Sequence, residues 1–402
     1  MPRSTSAKKT VTNTISNYMK ILQLGKFYPI RGGVEKVMWD LTHGLAEWGI
    51  ACDMLCATLR HDPIDPDHFN YYRETSEGRV ITMGPYARVI CVHAITKKAA
   101  TMISPAMVRW LRKHAPEYDI IHIHHPDPMA ALALRISGYK GRVILHWHSD
   151  ILSQKVLLRF YHPLQSWLIR RAERIIGTSP VYLRESPDLQ RFQDKTICVP
   201  IGIDPVIYDA QAALDVRNAF GNRKIIFGLG RLVPYKGFST LIEAASRLGP
   251  DYCVIIGGSG PLYPELKKQI QELHLENKVQ LLGYVESWAL PILFGACDVF
   301  VMSSDRKTEA FGIVQIEAMS CGKPVVATWI PQSGVAWVNK DGESGHNVYP
   351  HDPRSLAIAI DRICHDPDTY LRYSANALER YEDMFTSREM IDKIIKIYEN
   401  KD

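Results

Sequence analysis

No stretch of about 18 apolar residues occurs in this 402-residue chain, so no membrane-spanning helix is expected. The first residues, MPRSTSAKKTVTNTISNYMK, lack the apolar core of a secretory signal, and residues 1–18 are expected to form a disordered leader. The eight cysteines are scattered, Cys52 and Cys56 being nearest, with no CxxC pair. That excludes a disulfide framework and predicts buried thiols in a reducing cytoplasm. There is no GxGxxG fingerprint, which weakens a nicotinamide-cofactor reading. Zinc-finger spacing, RNP-type aromatic motifs and basic low-complexity tails are also missing, which argues against nucleic acid.

What is present is a globular composition, 46% hydrophobic and 23% charged, with length for two domains. Charge is divided unevenly. Residues 1–200 hold 27 Lys and Arg against 17 Asp and Glu, whereas the remainder hold 21 against 26. A basic first half predicts contact with an anionic surface, a membrane or phosphorylated lipid before nucleic acid.

Short Val- and Ile-rich runs alternate with helical patterns in both halves, the signature of parallel sheets built from βαβ units. Strands are expected near 20–25, 50–56, 89–93, 119–124, 143–148, 174–178 and 196–199. A second set is expected near 224–229, 252–257, 278–282, 297–302, 323–328 and 346–349. The pattern breaks at Pro200-Ile201-Gly202-Ile203-Asp204-Pro205. The expected domains are therefore 19–203 and 204–383, with a last helix over 384–402 whose apolar residues are Met390, Ile391, Ile394, Ile395 and Tyr398. Two such sheets would open their strand ends toward a shared cleft.

The segment EAFGIVQIEAMSCGKPVV carries the most chemistry. Glu309 stands at a loop, Glu317 eight positions on in a short helix, and Phe311-Gly312 turns the chain between them. The helix start at Ile313-Val314 then offers free N–H groups, which suit phosphate, while the flanking carboxylates suit sugar hydroxyls. A nucleotide-sugar has both parts; an ordinary helix–strand unit explains the same segment without a ligand. Arg231 and Lys236, in GRLVPYKG after a strand, suit a diphosphate. Gly32-Gly33, before the first helix, and GGSGP, with Gly260, would let a ligand approach the backbone.

Five histidines (His122, His124, His125, His146 and His148) gather near strand ends, each alternating pair sharing one face. No carboxylate or cysteine stands at ligand spacing, so no metal is expected. The DPD strings at 65–67 and 366–368 read as turns. The segment 94–118 mixes Lys97, Lys98, Arg109, Arg112 and Lys113 with Met102, Ile103, Met107, Val108, Trp110 and Leu111. It reads equally as a membrane-surface helix or as an ordinary core-facing one.

Six pieces in order, FYPIRGGVEKV, HWHSD, GRLVPYKG, GGSGPL, EAFGIVQIEAMSCGKPVV and SGVAWVNKDGESG, resemble family 4 of the retaining, nucleotide-sugar-dependent glycosyltransferases. The resemblance spans about residues 20–398. It implies a GT-B fold: two α/β Rossmann-like domains with a cleft between them, and a final helix returning to the first. Glu317 would then hold the ribose, and Glu309 the donor sugar. Arg231 and Lys236 would take the diphosphate, with backbone at Gly33 and Gly312–Ile313, and His148 would sit by the reacting bond. Whether His146 or His148 fills that place is open. Arg306-Lys307 is more basic than the family pattern and would respond to an anionic group.

The expected enzyme is a metal-independent hexosyltransferase needing no cofactor besides its nucleotide-sugar donor, GDP-mannose or a GDP-deoxyhexose before UDP-hexose. The resemblance is to bacterial enzymes of O-antigen or exopolysaccharide synthesis. It implies a polyprenyl-diphosphate-linked saccharide acceptor and a peripheral place on the inner face of the cytoplasmic membrane. A nucleotide-sugar epimerase and a non-catalytic sugar-nucleotide-binding partner are the rival readings.

Overall fold

The structure, a computed structural model, describes residues 19–30, 32–62, 72–98, 101–151, 155–221 and 223–401. The expected leader and the DPD string at 65–67 lie outside the described residues. The chain forms two compact units. One gathers residues up to 146, 160–173 and 395–402; the other holds 147–159 and 174–394.

In the first unit the strands are β1 (Lys20–Phe27), β2 (Ala51–Thr58), β3 (Arg73–Thr75), β4 (Gly78–Thr82), β5 (Ala87–His93), β6 (Thr96–Lys98), β7 (Thr101–Ile103), β8 (Ile120–His125) and β9 (Arg142–Trp147). The main order is β9-β8-β1-β2-β5-β4-β3. Parallel pairing joins β8, β1, β2 and β5, whereas β4 runs antiparallel to β5 and β3 to β4. The sequence pattern missed β3 and β4 because short, half-exposed, charge-bearing strands (RET, GRVIT) have no long apolar run to betray them.

The second unit holds β10 (Arg174–Gly177), β11 (Thr196–Cys198), β12 (Lys224–Leu229), β13 (Tyr252–Gly257), β14 (Val279–Gly283), β15 (Val299–Met302), β16 (Val325–Thr328) and β17 (Gly345–Val348). Six of them form an all-parallel sheet, β14-β13-β12-β15-β16-β17, and β10 pairs with β11 in parallel. Strands such as VFVM and VVAT are buried at every position, as a sheet covered on both faces requires. Ile226, Val254, Val299 and Val326 meet Leu241, Ile242, Leu356 and Ile360 from the covering helices. Each such side chain contributes roughly 1.5–3 kcal/mol through burial.

Five helix starts follow one local rule. Ser104-Pro105, Asp127-Pro128, Ser179-Pro180, Asp352-Pro353 and Asp366-Pro367 each place a capping oxygen and then a proline at the first helical position. The DPD at 366–368 is therefore not a turn but the start of the helix Pro367–Met384, Asp366 accepting the Thr369 N–H at 3.0 Å. The segment 94–118 also departs from a single amphipathic helix. It forms the β6–β7 hairpin and a helix, Pro105–His114, whose Met107, Trp110 and Leu111 are buried.

The final helix is Ser387–Tyr398, after a break at Phe385-Thr386 that shortens the expected 384–402. Its buried stripe is Met390, Ile391, Ile394, Ile397 and Tyr398; Ile397 takes the place expected for Ile395. Within the first unit, Tyr398 Oη receives Gln23 Nε2 at 3.1 Å and shares a hydrogen bond with His122 Nδ1 at 2.5 Å. Arg142 donates to the carbonyls of Ile397 and Tyr398, a cation at a helix C-terminus, and pairs with Glu173 at 2.9 Å. Tyr398→Phe strands Gln23 and His122 at once. The expected cost is about 1–3 kcal/mol, read as a lower midpoint in urea unfolding.

Candidate functional site

In the second unit, β12 delivers the chain to a 3₁₀ turn, Pro234–Lys236, and β15 delivers it to the loop that carries Glu309. These strands are neighbours, so the two loops leave the sheet side by side. Lys236 Nζ meets Glu309 Oε2 at 2.5 Å, and Ser304 Oγ donates to the same oxygen at 3.2 Å. Both side chains are largely buried, 13% and 14% exposed, so each charge is held by the other. The expected sugar-side carboxylate and diphosphate-side cation thus meet at one point. Arg231, by contrast, is exposed and donates to Tyr235 Oη at 3.1 Å.

Three residues past Glu309 the chain turns at Gly312, which has φ 81° and caps the helix Ile313–Ser320 with no side-chain oxygen. The positive φ favours glycine, and a β-carbon there would also press on the end of the Met302 side chain, 2.6 Å away. No side-chain oxygen caps the first turn at Ile313 and Val314, and Phe311 anchors the turn in the core. Glu317 lies one turn on, half-buried. Gly260 and its neighbours pack on the 230–232 segment: a β-carbon on Gly258 would meet the Gly230 carbonyl at 1.8 Å. Leu232 N–H binds Ser259 O at 2.9 Å, which locks the two loops together.

Sequence reasoning missed a second ion pair. Asp150, the last residue of HWHSD, accepts Lys307 Nζ at 2.8 Å, with both side chains nearly buried (5% and 11% exposed). The other oxygen of Asp150 accepts Trp147 Nε1 at 2.9 Å and Ser186 Oγ at 2.7 Å, and its N–H donates to Tyr182 Oη at 2.8 Å. Lys307 was expected to answer an external anion; its anion is Asp150, because a carboxylate this buried needs a cation. The pair ties the loop carrying His148 to the loop carrying Glu309, each two residues away. The basic residue before the glutamate and the acid after the histidines were visible, but nothing local paired positions 157 apart.

The histidines separate. His148, buried, belongs with Asp150 in the second unit. His122, His124 and His146 stack in the core of the first, their ring planes within 10–24° of parallel. Their nearest ring nitrogens all lie within 4.8 Å. Tetrahedral zinc at about 2.05 Å from each ligand brings nitrogens to roughly 3.4 Å with lone pairs converging. Parallel rings instead point their lone pairs side by side, and His122 Nδ1 and His124 Nε2 already engage Tyr398 and Gln23. With ring nitrogens up to 4.8 Å apart, the three form a buried imidazole stack.

Burial drives the His146 pKa down to about 3 and His122 well below its usual range, His146 adding to the latter. The groups facing them titrate far higher: burial raises Tyr398 strongly and Cys52 to about 12. A depressed base is neutral when folded, while the unfolded chain takes up protons below about pH 6.5. Stability should hold above that pH and fall steadily as pH drops below it. Urea midpoints from pH 8 to 4 check this, and His146→Gln should flatten the slope.

Gly32 caps the helix Gly33–Glu47 in the first unit, again without a side-chain oxygen. Behind it lies Lys26, which the sequence did not single out. Its Nζ donates to Pro126 O at 2.5 Å, and burial lowers its pKa against the pull of Asp127.

Two α/β units, one with a six-stranded parallel sheet and glycine turns at its strand exits, define a Rossmann-like architecture. Solved structures share the fold over 95% of the chain. Anabaena HepE, solved with UDP, superposes with TM-score 0.75 over 95% of this chain and all of its own, at 22% identity. Sucrose-phosphate synthase from Thermosynechococcus elongatus gives 0.75 over 95% and 98%, at 24%. The fold is GT-B.

The family model described as Glycosyltransferase Family 4 matches residues 31–206, and that described as Glycosyl transferases group 1 matches residues 210–380. The chain is 31% identical to the Escherichia coli O-antigen chain mannosyltransferase C, over 94% of its length and 98% of the relative's. It is also 31% identical to the Pseudomonas aeruginosa D-rhamnosyltransferase WbpZ, over 92% and 93%. The protein belongs to the family 4 glycosyltransferases.

Proposed function

We propose that the protein transfers a hexose, with retention of anomeric configuration and without a metal ion, from a nucleoside-diphosphate sugar to a lipid-linked saccharide. The carrying observation is the Lys236–Glu309 pair beside the uncapped helix start at Gly312. A cation and free amides would take the pyrophosphate, while Glu309 and Glu317 would take hydroxyls of the sugar and ribose. Arg231 would fold in on the outer phosphate, and Gly260 and the Gly32-Gly33 turn would admit the donor to the backbone. His148 would stand at the reacting bond, since His146 belongs to the imidazole stack.

In this reading the bond from the anomeric carbon to the phosphate oxygen breaks, and its electron pair leaves with the nucleoside diphosphate. An oxocarbenium-like carbon remains. The acceptor hydroxyl attacks the same face, and its proton passes to the departing phosphate. Lys236 and the helix amides lower the barrier because they are fixed where negative charge grows.

A GDP-linked mannose or deoxyhexose is favoured by the mannosyl- and rhamnosyltransferase relatives. A UDP-hexose is the second reading, favoured by the UDP in HepE. The basic first half supports a peripheral place on the cytoplasmic membrane face, and among the described residues no helix is long and apolar enough to cross one. Incubation with GDP-mannose, GDP-rhamnose, UDP-glucose and UDP-galactose tests the donor. Slow release of GDP from a GDP-sugar is expected. Conversion of a donor to its epimer, or no turnover of any of them, would contradict the proposal.

A further inference from the structure

The second unit has another cavity, about 700 Å³, beyond the residues given roles above. Its walls come from the β16 exit, the helix Val335–Val338 and the end of β17. Two large aromatic rings stand there in solvent: Trp329 is 47% exposed and Tyr349 67%. Their centroids are 5.5 Å apart with planes at 83°, so they present two faces at a right angle. Trp337 lies deeper, braced by Arg380 at 5.7 Å and edge-on to Phe385.

Polar groups rim these rings. Gln332 is exposed on a backbone held at φ 63°, and Asp341 accepts the Asn347 N–H through one oxygen while remaining 62% exposed. The cavity floor is tied to the donor-side loop: Ser333 Oγ donates to the carbonyl of Glu309, and Gly334 N–H to that of Ala310 at 2.9 Å. Whatever occupies this cavity therefore rests on the backbone that carries Glu309.

Exposed aromatic faces in an open cleft beside a carboxylate and an amide match one chemical class. A pyranose has an apolar C–H face for a π-surface and a rim of hydroxyls for Asp341 and Gln332. A nucleotide base would need only the stack; a phosphate would need available cations, and of the two cations lining the cavity Lys340 pairs with Glu343 at 2.7 Å while Arg380 donates to the carbonyls of Trp337 and Val338. We infer that this cavity is a saccharide subsite, holding sugar units of the acceptor chain on Trp329 and Tyr349. The inference rests on the transferase reading for its source of glycan.

Isothermal titration of the full chain with soluble mannotriose tests it. Saturable binding to the wild-type protein is expected, weakened at least about tenfold in Trp329→Ala/Tyr349→Ala and kept within about twofold by Tyr349→Phe, which preserves the ring. Equal affinity of the double variant, or no saturable binding to the wild type, would overturn the subsite. If the rings instead serve a protein partner or second copy, mannotriose fails to bind and the double variant changes the mass seen by light scattering; that too overturns it. Donor hydrolysis by the wild type is read separately. Its absence with mannotriose binding intact would count against the transferase reading and not against the subsite.

Discussion

Lys236→Ala is expected to lower donor turnover by about 10²–10³-fold, the effect of removing one fixed donor aimed at developing negative charge. The loss should fall on kcat more than on KM, because the cation matters most when the leaving diphosphate gains its electron pair. Lys236→Arg, which keeps the charge on a differently shaped head, should recover part of it. The substitution also leaves Glu309 a largely buried carboxylate with only Ser304 as partner, so its unfolding midpoint must be measured alongside. Turnover equal to wild type would remove Lys236 from the site, and with it the use of the Glu309 pair.

The second large effect belongs to the Asp150–Lys307 pair. Either Asp150→Asn or Lys307→Met leaves its former partner charged and buried, and each is expected to cost about 3–5 kcal/mol in urea unfolding. The double variant removes both charges and should cost clearly less than the two singles added, a coupling that a double-mutant cycle reads directly. Asp150→Ala should cost more than Asp150→Asn, since Asn keeps an oxygen for Trp147 Nε1 and Ser186 Oγ and Ala removes it. Singles that each cost under about 0.5 kcal/mol would place the pair among solvent-screened contacts and end its role as a tie between the His148 and Glu309 loops.

The parallel strands were legible because they are apolar at nearly every position, and a run such as VVAT or YCVIIG admits few other readings. The strands Arg73–Thr75 and Gly78–Thr82 were not, because successive antiparallel pairing, β3 on β4 and β4 on β5, holds them rather than burial of their own side chains. Proline misled at 366–368: read as a turn residue, it proved to be the first residue of a helix whose cap precedes it. The segment 94–118 misled by composition. Its cations and apolar residues look amphipathic together, but a hairpin and a ten-residue helix divide them.

At the site, Glu309, Lys236 and the Gly312 turn were readable because each sits at a strand exit or helix start with a local signature. Their contact was not, for it depends on β12 lying next to β15. Asp150 with Lys307 needed the same long-range information, and so did the histidines. Alternation along each strand put His122 and His124 on one face, but only the order β9-β8 brings His146 onto their stack and leaves His148 beyond it.

A crystal structure of the full chain with a GDP-sugar bound is the most direct test. The account predicts the pyrophosphate within hydrogen-bonding distance of Lys236 Nζ and the N–H groups at 312–314, with Glu317 on the ribose. A donor whose pyrophosphate lay away from both, or reached the protein only through a bound divalent ion, would contradict it.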